Sequence, residues 1–210
     1  MLAYLIFFIV LVAPSITIHE ISHGWAAYKL GDPTAKYAGR LSFNPLVHID
    51  IFGTILLPLL LLYLGGIPLG FAKPVPVNYL NLRNPRKDMA LVSLAGPASN
   101  LLIAFILLNI LKFAPFLASG MGIFIIYGIS LNIVLGCINL VPIPPLDGSR
   151  VISALLPQKY SVEYAKIERF GNLIVIISFI LLYKLGLFQK LFAWILLFII
   201  QYTGINISLS

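Results

Sequence analysis

Long apolar runs recur along this sequence, at residues 2–12, 101–111, 123–141 and 191–200, and that recurrence decides the solvent in which the chain folds. With 210 residues, 60% of them hydrophobic and only 10% charged, the chain carries more apolar surface than a soluble domain of this size can hide. A bilayer removes the difficulty, and the runs predict an all-α polytopic membrane protein. The formal charge of +7 then belongs to loops facing anionic headgroups rather than to a nucleic-acid surface, and no nucleic-acid partner is expected.

The first span runs over residues 2–28. No basic residue precedes it and it leads straight into His19-Glu20, so it reads as a retained span and not as a signal peptide. The apolar stretch 51–64 is short and contains Pro58, which makes it re-entrant rather than crossing. Closely spaced prolines with alternating Val, Asn and Tyr across 65–86 predict short strands at the membrane surface. Further spans are expected at 89–113 and 121–140, then a proline-broken segment, 141–145, that delivers Asp147. Residues 170–202 fit two short spans joined by a tight turn, for about five transmembrane helices in all. The lone cysteine, Cys137, lies inside an apolar run and reads as a small packing residue, since one cysteine forms no intramolecular disulfide.

If 51–64 does not cross, loops at 29–50, 65–87 and 146–169 share one face. They hold all of the fourteen Lys and Arg except Lys112, Lys184 and Lys190. The positive-inside rule puts that face in the cytoplasm, the N-terminus outside and the C-terminus inside. It also brings the end of the first span and the residues after the 121–140 span to one depth.

His19 and His23, four apart on a helix, stack about 6 Å apart along its axis, where two ring nitrogens can share one zinc ion. Glu20 lies beside that face, placed to act as general base without ligating the metal. Burying His, Glu and His together in hydrocarbon is costly unless a metal or partners compensate, so these residues are functional candidates. A catalytic zinc usually has three protein ligands. Asp147 is preferred as the third on depth, with His48, followed closely by Asp50, as the rival in the loop before 51–64.

These residues resemble the site-2 proteases, a family of intramembrane zinc metalloproteases. The resemblance rests on His19–His23, on Gly96-Pro97-Ala98-Ser99-Asn100, and on Asn139 followed eight residues later by Asp147-Gly148. The loop sequences HGWAAYKLGD, GRLSFNP and FAKPVPVN are similar to its small prokaryotic branch, which lacks PDZ and CBS modules. The likeness covers nearly the whole chain up to about Arg150. It implies one bound Zn2+ held by His19, His23 and Asp147, catalysis by Glu20, Asn139 near the active site as an oxyanion donor, and a transmembrane or membrane-tethered protein as substrate. Asn100 is assigned either to helix packing or to substrate binding. The organisation implied is a single membrane peptidase domain, 1–210, with a catalytic core at 1–157 and a C-terminal helical pair at 167–203.

Because a helical substrate hides its carbonyls, the scissile segment must unwind, and residues 71–78 offer a sheet edge on which an extended peptide could pair. The alternatives are a zinc or cation transporter, since His and carboxylates also line ion paths, and a noncatalytic zinc-binding membrane protein. Glu20 separates them, being essential to hydrolysis and dispensable to transport if it is not a ligand.

Overall fold

A computed structural model of the chain describes residues 8–56, 59, 63, 72–119 and 122–205, and every regular element among them is helical. A π-helical turn, Phe8–Val12, runs into α1, Ala13–Lys29, with Pro14 in its first turn, where a missing N–H forfeits no helical bond. A short helix α2, Thr34–Tyr37, a 3-10 turn, Pro45–His48, and a π-helical segment, Ile51–Leu56, follow. The rest of the stretch expected to be re-entrant falls outside the described residues except at Leu59 and Tyr63.

Helix α3, Pro85–Phe113, starts four residues before the expected span, because Pro85 opens its first turn and Asp88 accepts the Asn84 N–H at 2.7 Å. Helix α4 is Gly122–Asn139. Both are long and apolar enough to cross a bilayer. Leu102, Phe105 and Ile106 of α3 and Ile123 of α4 are exposed, as lipid-facing side chains are in a membrane protein.

The segment 146–169, expected as a loop, is instead α5, Asp147–Leu155, α6, Gln158–Ala165, and a 3-10 turn, Lys166–Phe170. Its mixed polar and apolar sequence conceals surface helices that no apolar-run criterion detects. Helices α7, Gly171–Lys184, and α8, Leu187–Thr203, meet at Gly186, whose φ of +68° suits glycine. Their axes differ by 73°, a bend rather than the reversal a tight turn would make; counted as one span, the pair raises the number of candidate spans from two to three. Ile195 and Ile199 of α8 close a buried cluster with Ala104, Leu108 and Leu111 of α3 and Ile126 and Ile129 of α4. Cys137, expected in packing, is exposed on α4, where a small apolar thiol is compatible with lipid.

No strand forms among the described residues. Residues 72–78 form no ladder, and Pro74 and Pro76 explain it, since neither donates to one while each disposes the residue before it to extended backbone. Side-chain and single backbone bonds hold the segment instead. Lys73 N–H donates to His48 O at 2.9 Å, and Arg40 donates to Lys73 O at 2.6 Å. Fully buried Asp32 accepts from Asn78 N–H at 2.6 Å, Asn81 Nδ2 at 2.9 Å, and both Thr34 N–H and Oγ1. Burial opposes the Asp32 charge, but these hydrogen bonds outweigh it and hold the carboxyl below its ordinary range.

Candidate metal centre

His19 and His23 face the same side of α1 with ring centroids 4.6 Å apart and planes nearly perpendicular, at 85°. Helix α3 forms the wall behind them through residues at i, i+4 and i+8, which share one helix face. Val92 O accepts from His23 Nδ1 at 2.7 Å, Gly96 lies directly under both rings, and Asn100 Oδ1 accepts from His19 Nδ1 at 2.6 Å. A Cβ at Gly96 would stand 2.7 Å from His19 Cε1 and 2.5 Å from His23 Cε1, so this helix comes close enough to bond the rings only because residue 96 has no side chain.

Asp147 arrives from the far end of the sequence as the first residue of α5. A Cβ at Gly148 would collide with the Leu140 carbonyl, so glycine after the aspartate lets α5 turn in against the end of α4. Asp147 Oδ2 then lies 3.2 Å from Nε2 of each histidine, and the two Nε2 atoms are 3.0 Å apart.

The donor set tests whether a metal belongs there. With Nδ1 of each ring donating outward, each Nε2 carries a lone pair, and the third atom is a carboxylate oxygen. With both rings neutral, three acceptors converge, a repulsive arrangement that a cation relieves. Ligands around tetrahedral zinc at about 2.05 Å are about 3.3 Å apart, close to the 3.0–3.2 Å triangle seen here. The residues fit zinc.

Among the described residues, His19, His23 and Asp147 form the group able to hold a metal. The rival ligand, His48, is buried elsewhere and engages Ser42 O at 2.9 Å through Nε2. Glu20 follows His19 on α1, and its Oε2 accepts the Val75 N–H at 2.8 Å from the extended segment. The Val75 side chain packs over Gly24, one turn further along α1. Asn139 is not drawn to the three ligands; its Nδ2 donates to Leu135 O at 2.9 Å in its own helix. Asn100, ambiguous in the sequence, is fully buried against His19.

Sequence reasoning missed Ser15 and Asn132, and reached Val75 only as part of the segment 71–78. Asn132 alone left a trace, as an amide within an otherwise apolar span, where polar residues need partners.

The chain matches peptidase family M50 over residues 7–116 and 109–182. It is 41% identical over 174 residues to YwhC of Bacillus subtilis, provisionally named a zinc metalloprotease, covering 79% of this chain and 76% of that one. Rip2 of Mycolicibacterium smegmatis, provisionally named in the same way, is 31% identical over 186 residues, with 85% and 70% covered. The zinc metalloprotease MJ0392 of Methanocaldococcus jannaschii is 26% identical over 152 residues, 72% of this chain but 34% of that protein. No solved structure matches.

Proposed function

The chain belongs to peptidase family M50, and from that premise we propose that it is an intramembrane zinc metalloendopeptidase acting on membrane-embedded or membrane-tethered proteins. The observation that carries this reading is the convergence of His19 Nε2, His23 Nε2 and Asp147 Oδ2 at 3.0–3.2 Å beside Glu20. His19, His23 and Asp147 would hold the ion, which when bound supplies a Lewis acid able to acidify water and polarise a peptide carbonyl. Glu20 takes the proton of the attacking water and hands it to the leaving amine. One of its oxygens is held by Val75 N–H, which fixes the carboxylate plane and leaves the other oxygen for the water. Asn139 serves as the oxyanion donor by exchanging its bond to Leu135 O for the developing charge on the substrate.

Residues 1–210 act as one membrane domain, with the catalytic core at 1–157 and the helical pair at 167–203. The basic loops support a reading with the active site near the cytoplasmic face, the N-terminus outside and the C-terminus inside. In this reading about five helices cross the membrane.

Purified protein in detergent is expected to carry one zinc per chain and to cleave a model single-span substrate. A strong chelator should abolish cleavage, and added zinc should restore it. Zinc-free protein that cleaves as well as the loaded form sinks the assignment. A second expectation concerns Val75. Val75→Pro removes the N–H held by Glu20 while suiting the extended backbone between two prolines. It should lower kcat roughly tenfold with little change in zinc content; an unchanged kcat removes Val75 from the machinery.

A further inference from the structure

Behind His19 runs a chain of buried amides that the proposed reaction does not itself use. Asn100 Nδ2 donates to Asn132 Oδ1 at 2.9 Å and to Ser15 O at 3.3 Å, and Asn132 Nδ2 donates to Gly128 O and to Ser15 Oγ, each at 2.9 Å. Asn100 and Asn132 are at most 1% exposed. The chain joins α1, α3 and α4 and ends on the His19 ring.

The sense of every bond in it is dictated by chemistry. Gly128 O and Ser15 O are backbone carbonyls, which only accept. The Asn132 amide must therefore turn its NH2 toward Gly128 and its oxygen toward Asn100. Asn100 in turn must present its NH2 to Asn132 and Ser15 O, leaving its own oxygen to face His19. An oxygen there accepts, so His19 carries its proton on Nδ1 and its lone pair on Nε2, toward Asp147. Reversing either amide would set two acceptors or two donors face to face in a buried site.

We propose that Asn132 is a positioning residue for the metal centre: through Asn100 it fixes the tautomer and orientation of His19, so that Nε2 is always available to the ion. The inference rests on the zinc reading above and extends it to a residue on α4 with no contact to the ligands. Partners that orient ligating histidines typically govern metal affinity by about 10–100-fold. Asn132 does so one step further back. His23 needs no such chain, since Val92 O holds its Nδ1 directly.

The test is zinc affinity by chelator competition on the whole chain in detergent, with the cobalt absorption band as a second readout of ligand geometry. Asn132→Leu leaves Gly128 O in its helix and lets the Ser15 hydroxyl turn to its own backbone, but it takes the acceptor from one Asn100 N–H, which frees the amide to turn away from His19. It is expected to weaken zinc binding by roughly tenfold or more and to shift the cobalt band. Asn100→Leu should do the same, and the double variant should be no worse than Asn100→Leu, because Asn132 acts through Asn100. Asn132→Asp should rescue affinity, since a neutral carboxyl can still donate to Gly128 O and accept from Asn100.

Unchanged affinity in Asn132→Leu, or losses that multiply in the double variant, overturn the proposal and leave Asn132 as helix packing. Nitrogen NMR of His19 in zinc-free wild type needs no variant: the Nδ1–H form is expected, and the Nε2–H form overturns the proposal. A wild-type chain that takes up no zinc fails the metal reading itself, and this inference with it.

Discussion

Glu20→Gln is expected to bind zinc as tightly as the wild type and to lose about 10²–10⁴-fold in cleavage rate, the usual contribution of a positioned general base. The amide keeps the length of the side chain and an oxygen that can still accept the Val75 N–H, so the segment over the site stays in place while the proton acceptor is lost. Zinc content and single-turnover cleavage of the same preparation separate binding from chemistry. Loss of zinc together with activity would make Glu20 part of the metal site. Full cleavage would end the general-base assignment, and zinc flux into liposomes that survives Glu20→Gln would favour transport.

Gly96→Ala should be equally damaging by a different route. In a helix interior, alanine ordinarily stabilises relative to glycine by up to about 1 kcal/mol, and a surface site would show that gain. Here the new methyl would stand 2.5 Å from His23 Cε1 and 2.7 Å from His19 Cε1, so either the rings or α3 must move. Movement of the rings misplaces both Nε2 atoms, and movement of α3 breaks the bonds from Val92 O and Asn100 that hold them. Zinc affinity is expected to fall by at least about 100-fold, with cleavage following, while thermal unfolding of the zinc-free protein changes far less. Stoichiometric zinc in Gly96→Ala would show that the helices separate at little cost.

How far the sequence reveals this arrangement depends on the range of the interaction. His19 and His23 are legible because a four-residue spacing has one meaning on a helix, and Asp147 because the expected order of spans brings it toward the two histidines. The bond between Asn100 and His19 spans 81 positions and no local pattern encodes it; the Gly-Pro-x-x-Asn element marks a special helix without saying which ring it touches. Asn132 is harder still, because it meets only other neutral polar groups. Surface helices α5 and α6 escape a reading tuned to apolar runs. The extended segment 72–78 was legible as extended but not as unpaired, because the valines that suggest a strand alternate with the prolines that prevent one.

Those prolines have a consequence for how copies of the protein behave toward one another. The Lys73 and Val75 N–H groups are spent on His48 O and Glu20. Pro74 and Pro76 have no N–H to give, and Arg40 reaches the carbonyl of Pro74 as well as that of Lys73. Two such borders brought together have nothing to exchange, so the segment resists zipping to its own likeness in a crowded bilayer.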